Sequence, residues 1–175
     1  MTSAILGFLF ITTAGTLLHF VYEWSGRRKW VALFGAVNES TWEHMKIAAI
    51  PALVWPVLEI PLFGNQPNWI PAKLAAVVTI LLAIPFIFYG YTSLTRKSIL
   101  ALDIGLFVVS VGLGQWVSVL VMKSAPVPAW VTSVCFVLLV VLFAACLLLT
   151  LKPIRIFLFR DPVTGKYGLE ASEPH

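Results

Sequence analysis

The chain has 175 residues, of which 59% are hydrophobic and only 11% charged, and its formal net charge is +4. This composition is too apolar for an ordinary soluble domain, so the expected solvent is the lipid bilayer. No basic stripe or nucleic-acid-binding motif accompanies the positive charge, and we therefore expect no nucleic-acid partner.

Five apolar stretches are each long enough to cross a membrane, which takes about 20 residues. They cover residues 4–22, 42–63, 70–93, 99–122 and 127–151, and a tail follows at 152–175. Backbone groups at bilayer depth have no water to bind, and the stretches lack the alternation of barrel strands, so each is expected to be helical. The sequence predicts an all-α, polytopic membrane bundle of five transmembrane helices in a single domain, residues 1–175. No basic residue precedes the first stretch, which we expect to be an uncleaved span.

Positive charges are unequally divided between the two sets of loops. The chain has twelve lysines and arginines. Only Lys73 and Lys123 fall in the second and fourth loops, and the others belong to the opposite face: Arg27, Arg28, Lys29, Lys46, Arg96, Lys97, Lys152, Arg155, Arg160 and Lys166. Because basic residues collect on the cytoplasmic side of short loops, the amino terminus is predicted outside and the carboxyl tail in the cytoplasm. The expected location is the inner (plasma) membrane, as a multi-pass protein.

The second stretch contains Pro51, Pro56 and Pro61, each of which removes a backbone hydrogen bond and pushes against the carbonyl four residues back. This spacing predicts a kinked or broken helix. Several transporters use a break near the midplane to expose backbone carbonyls to a substrate. Proline is also common in ordinary membrane helices, where neighbours satisfy the freed groups, and we favour that explanation.

Small residues repeat every four positions in the fourth stretch, at Ser110, Gly114 and Ser118. This spacing lets helix backbones approach closely, so the face is predicted to point into the bundle. Asp103 lies seven residues before Ser110 on the same face and is expected to turn inward with it.

Most ionisable side chains of the apolar stretches cluster near the predicted cytoplasmic face. A charged group costs about 2.5 to 3.5 kcal/mol at the centre of a membrane helix, so this placement is informative. Two ionisable residues lie at the end of the first stretch, a run of polar residues begins the second, and a further ionisable residue lies near the start of the fourth. The candidate binding residues are therefore His19, Glu23, Asn38, Glu39, Glu43, His44 and Asp103.

The two histidines of this cluster could ligate metal, move protons or change charge. A divalent metal would be chemically ordinary if His19 and His44 met one or two of the carboxylates Glu23, Glu39, Glu43 and Asp103. No spacing rule specifies such a site, because the ligands come from separate helices. The alternative, which we favour, is polar packing at the interface.

Structural roles are open for two of the carboxylates. Ser40 and Glu43 have the spacing of a capping box, in which each side chain satisfies a backbone amide of the other, and Glu43 could also pair with Lys46. Glu59 lies further along the same stretch, near the predicted outer face. We expect it to pair with Lys73, and the alternative is an outer gate or proton-relay carboxylate.

The tail segment 160–168 is rich in turn-forming residues and is predicted to form a small ordered loop docking beneath the bundle. Three strings, at 19–26, 37–44 and 159–168, together with the hydropathy, resemble a family of small bacterial membrane proteins of unknown function. The most distinctive motifs are Asn-Glu-Ser-x-Trp-Glu-His, starting at Asn38, and Asp-Pro-x-Thr-Gly-x-Tyr-Gly, starting at Asp161. The resemblance covers nearly the whole chain. It implies a bacterial source, and it implies no activity or ligand.

Three functions fit these features. The leading hypothesis is a small transporter-like or ligand-binding membrane protein with its polar site at the cytoplasmic face. The second is a membrane-embedded, metal-assisted hydrolase that uses the same cluster to activate water on a lipid-borne substrate. The third is a non-catalytic accessory subunit. Five spans form a thin bundle, so we expect a homodimer or a membrane partner protein.

Overall fold

The computed structural model describes residues 1–172. Its helices are α1 (Thr2–Trp24), α2 (Lys29–Ala32), α3 (Thr41–Phe63), α4 (Trp69–Thr95), α5 (Leu100–Met122) and α6 (Ala129–Leu151), and two short 3-10 turns follow at Phe157–Phe159 and Gly168–Ser172. The described residues contain no β-strand, only one isolated antiparallel bridge between Arg160 and Tyr167. Five of the helices, α1 and α3–α6, are long and apolar enough to cross a membrane. The predicted all-α bundle with five spanning helices is therefore confirmed.

The spanning helices alternate in direction, so the starts and ends of successive helices lie together at the two opposite ends of the bundle. The starts of α1, α4 and α6 lie at one end, where Met1, Phe63 and Met122 line a common cleft. The ends of α1, α4 and α6 lie at the other, together with the starts of α3 and α5 and the tail. We call this the tail end, and it carries the candidate polar residues.

Helix α3 is the most buried span and packs against α1, α4 and α6. Small residues such as Ala48, Ala49 and Ala52 let its neighbours approach closely. The helix runs without interruption through Pro51 and Pro56, as it does through its third proline. The helix is therefore not broken, and the kink stays a prediction. A continuous helix agrees with the explanation that we favoured, in which neighbouring groups satisfy the backbone freed by proline.

Helices α4 and α5 form the most extensive pair, and small residues bring them together. Ser110, Gly114 and Ser118 are all buried, as their spacing predicts. A Cβ placed on Gly114 would lie 2.6 Å from Cγ1 of Ile80 and 2.8 Å from the carbonyl oxygen of Ala76. The small-residue face of α5 is thus the contact surface for α4.

A buried ion pair lies near the end opposite the tail. Glu59 and Lys73 contact each other directly, and both side chains are almost inaccessible to solvent. The Glu59 carboxylate also accepts hydrogen bonds from Ser3 Oγ at 2.7 Å and from Trp69 Nε1 at 2.8 Å. The expected pairing with Lys73 is confirmed. All of these contacts are internal to the bundle, so Glu59 joins α1, α3 and α4 together.

Candidate functional site

The candidate site begins with the turn that starts α3. Ser40 is the N-cap residue, and its Oγ accepts a hydrogen bond from the Glu43 backbone N–H at 3.4 Å. The reciprocal half of the predicted capping box is absent, because the backbone N–H of Ser40 donates to Asn38 Oδ1 at 2.9 Å instead. The Glu43 carboxylate accepts from the backbone N–H of Val37 at 3.0 Å. Its side chain therefore turns toward the interior of the bundle and away from the helix start.

Glu43 also forms a fully buried ion pair with Lys46, whose Nζ lies 2.6 Å from Oε2 of Glu43. The same ammonium donates to the carbonyl oxygen of Ala32 at 2.9 Å and to Thr150 Oγ1 at 2.8 Å. All three ammonium donors of Lys46 thus have acceptors. The pair joins α2, α3 and α6, so Glu43 is committed to structure and is not available to a ligand.

The tail loop forms hydrogen bonds with the turn that starts α3. Asp161 is buried, and its Oδ1 accepts the backbone N–H of Glu39 at 3.3 Å, while its Oδ2 accepts the backbone N–H of Thr164 at 2.9 Å. Asn38 Nδ2 donates to the carbonyl oxygen of Gly168 at 3.0 Å. The predicted docking loop is confirmed, and the two motifs that begin at Asn38 and Asp161 contact each other.

Three polar side chains converge on the other side of this turn. Nε2 of His19 lies 3.9 Å from Oε1 of Glu39, and Nε2 of His44 lies 3.6 Å from Oε2 of Glu39. The two imidazole centroids are 5.3 Å apart. His44 Nδ1 is 2.9 Å from the carbonyl oxygen of Ser40, which can only accept, so this nitrogen carries a proton in the neutral ring. Nε2 of neutral His44 therefore has a free lone pair.

The remaining predicted residues lie outside this convergence. Glu23 is exposed and pairs with Arg27, whose Nε is 3.0 Å from Glu23 Oε2, and this hydrogen bond raises the pKa of Arg27. Asp103 accepts a very short hydrogen bond from the Tyr91 hydroxyl and another from Ser98 Oγ at 2.5 Å. Asn38 forms hydrogen bonds that connect the turn before α3 to the tail. Of the predicted cluster, the structure therefore brings together His19, Glu39 and His44.

A cavity of about 720 Å³ opens beside these three side chains. Its apolar wall is formed by Ile84 and Phe88 from α4 and by Leu106 and Phe107 from α5, and Leu100, Pro162 and Val163 add apolar surface. The polar lining comes from α1, α3, α4 and α5, from the turn before α3 and from the loop between α4 and α5; it consists of His19, Glu39, Thr41, His44, Thr92, Arg96, Lys97, Ser98 and Asp103. The volume falls within the range of small-molecule sites, about 300 to 1,000 Å³.

The model of a family of unknown function, DUF6512, matches residues 3–169. The chain belongs to the DUF6512 family. No match was found among curated proteins or among solved structures. Membership confirms the resemblance to a family of unknown function and supplies no activity for any residue of this DUF6512 member.

Sequence reasoning missed several residues of this DUF6512 site. The sequence pattern around Asp161 indicates only a turn, although its buried carboxylate positions the Glu39 backbone. Arg96 and Lys97 were counted as topology signals, yet both line the cavity. Tyr91 carries no polar pattern on α4 and contacts Asp103 only in three dimensions. For Arg96 and Lys97, the sequence feature that could have indicated a role in the site is their position in a charged loop next to an apolar span.

Proposed function

We propose that this protein binds an anionic amphiphile in the tail-end cavity, with the apolar part of the ligand between α4 and α5 and its head group at the polar rim. One observation carries the proposal. A single cavity combines an apolar wall with a rim of exposed basic residues, at the level where the helices end. Few small molecules other than amphiphiles would satisfy both surfaces.

The apolar wall is suited to a hydrocarbon chain. Ile84 and Leu106 are buried in the protein core, and Phe88 and Phe107 present half-buried rings beside them. None of these four side chains offers a hydrogen-bonding group. A hydrocarbon chain that moves here from water gains about 0.8 kcal/mol for each buried methylene, and a chain that moves from lipid gains mainly by close packing.

The rim favours a negative head group. Four charged side chains line the cavity, two acidic and two basic. The Asp103 carboxylate is already bound by Tyr91 and Ser98, whereas neither Arg96 nor Lys97 forms an ion pair with any other residue of the segment 1–172. Two exposed cations at the mouth of an apolar cavity suit a carboxylate or a phosphate.

The proposed site faces the cytoplasm of a bacterial inner membrane. Basic residues are concentrated in the tail-end loops and in the tail, while Lys73 and Lys123 lie at the opposite end. That asymmetry supports a cytoplasmic tail end. A ligand from the inner leaflet would then reach the cavity with its head group already at the depth of Arg96 and Lys97.

The test is saturable binding of a fluorescent fatty acid to the purified full-length protein. Replacing Arg96 and Lys97 together by Gln should weaken binding about tenfold or more, because a pair of charge-assisted hydrogen bonds is lost. The matched control replaces Lys152 and Arg155, basic residues of the same end outside the cavity lining, and should leave affinity unchanged. The neutral alcohol of equal chain length should compete poorly. Equal binding by both variants, or equal competition by the alcohol, would contradict the proposal.

A second candidate function is hydrolysis of the bound amphiphile. It is favoured by the convergence of His19, Glu39 and His44 on the cavity, since such groups can activate water for attack on an ester. Release of fatty acid from a monoacyl ester by the wild type, lost in His44→Ala and retained in Glu23→Gln, would support it. If the wild type shows no turnover, the hydrolysis proposal is wrong and the binding proposal remains.

A further inference from the structure

We infer that His19, Glu39 and His44 form a binding site for a divalent transition-metal ion, with open coordination positions facing the tail-end cavity. The inference goes beyond ligand binding and does not depend on it, because an ion can occupy these side chains without any amphiphile. The nitrogen and oxygen atoms that they offer all lie within 4.8 Å of one another.

The three groups converge without bonding to each other. Separations of 3.9 Å and 3.6 Å between the imidazole nitrogens and the Glu39 oxygens are too long for hydrogen bonds. Within residues 1–172, the Glu39 carboxylate accepts no hydrogen bond, and the two imidazoles are the charged partners recorded near it. Its oxygens therefore lie near both imidazoles without a hydrogen bond to either.

The spacing is close to what a tetrahedral ion requires. Bonds of about 2.0 to 2.1 Å from zinc to nitrogen or oxygen place ligand atoms about 3.3 Å apart. The two nitrogen–oxygen separations, 3.6 Å and 3.9 Å, exceed this by about 0.3 and 0.6 Å, and all of the donor atoms lie within 4.8 Å of one another. Ion binding would draw the three side chains together from α1, from the turn before α3 and from α3 itself.

Surrounding contacts already orient two of the three ligands, His44 and Glu39. The Nδ1–H of His44 donates to the Ser40 carbonyl, which leaves Nε2 free to bind the ion, and this is the arrangement that commonly supports a metal-binding histidine. The backbone of Glu39 is fixed by Asp161. The contacts that position the ligands thus come from the two motifs that meet in the docked tail.

The charge and access of the site suit a metal that keeps an open position. Two neutral imidazoles and one carboxylate leave a divalent ion with a net charge of +1. The side chains of His19, His44 and Glu39 are 28%, 33% and 54% exposed, so an ion can enter from the cavity. Three protein ligands of the type His₂Glu leave the fourth position for water or for an anionic head group.

The experiment uses Zn²⁺ alone. Purified full-length protein, stripped with a chelator, is titrated with Zn²⁺ against a chromophoric competitor. We expect one ion per chain, with affinity that falls at acidic pH because the imidazoles must be neutral to bind. His19→Ala, Glu39→Gln and His44→Ala should each lose about 100-fold or more in affinity, exceeding the loss typical of an outer-shell change. Co²⁺ should give the intense visible absorption of a four- or five-coordinate ion.

A matched control separates a built site from surface binding. Glu23→Gln removes a neighbouring carboxylate that already pairs with Arg27 outside the cavity, and this variant should bind Zn²⁺ like the wild type. Glu39 is exposed, so Glu39→Gln is expected to fold even if a histidine variant does not. The absence of stoichiometric Zn²⁺ uptake would overturn the inference, as would uptake that survives in Glu39→Gln. Neither result depends on fatty-acid binding.

Discussion

Replacing Lys46 by Met should destabilise the bundle severely, although the substitution is apolar and lies in a membrane helix. The lysine ammonium is completely buried and contacts Glu43 Oε2 at 2.6 Å, the Ala32 carbonyl at 2.9 Å and Thr150 Oγ1 at 2.8 Å. Removing it leaves the Glu43 carboxylate buried without its counter-ion. Breaking a buried pair from one side costs about 3 to 5 kcal/mol.

The assay is reversible unfolding of the purified protein by an anionic detergent in mixed micelles, followed by helical circular dichroism. Lys46→Met combined with Glu43→Gln should recover most of the loss, because no charge is left unpaired and Gln can still accept from the Val37 backbone. Glu23→Gln breaks an exposed pair and should change the free energy of unfolding by less than about 1 kcal/mol. The reasoning is refuted if Lys46→Met unfolds like the wild type, or if the double variant is as unstable as the single one.

Three further predictions concern packing, the tail and topology. Gly114→Ala should cost about 1 to 3 kcal/mol, because its Cβ would meet the α4 backbone, whereas Gly105→Ala in the same helix meets nothing within 4 Å and should not destabilise. Asp161→Ala should release the tail, so that trypsin cleaves after Lys166 faster than in the wild type, because several backbone amides lose their acceptor. In a cysteine-free background, a membrane-impermeant maleimide added to intact cells should label Lys123→Cys and reach Lys166→Cys only after lysis.

Each of these has a contrary outcome. Equal stability of the two glycine variants would mean that α4 and α5 do not approach closely at this point. Unchanged cleavage of Asp161→Ala would mean that other contacts dock the tail. Labelling of the tail cysteine in intact cells would reverse the proposed orientation and place the cavity on the outer face.

The spanning helices could be predicted from sequence because their cause is local. Hydrophobic runs of sufficient length set the spans, and each predicted stretch lies within two residues of an observed helix at both ends. The inward face of α5 followed from the four-residue spacing of small side chains. Glu59 and Lys73 could be paired because both needed a partner at the same depth.

The composition of the candidate site could not be predicted in the same way. Glu43 and His44 are adjacent on α3 and so point in directions about 100° apart, which means that only one of them can face the cavity. Glu39 precedes the helix, so no periodicity specifies its direction. Its backbone is positioned by Asp161, which lies 122 residues away in the sequence. Contacts of that kind depend on tertiary folding, and a single sequence contains no local signal for them.

Photolabelling with a fatty acid that carries a diazirine near its chain end tests the binding proposal most directly. Purified protein is irradiated with the probe, and the modified residues are mapped by mass spectrometry, with unlabelled fatty acid as competitor. The account predicts competable labelling of cavity residues on α4 and α5, chiefly Phe88, Leu106 and Phe107. Labelling confined to lipid-facing side chains of α6 such as Val137 and Leu138, and unaffected by competitor, would contradict it.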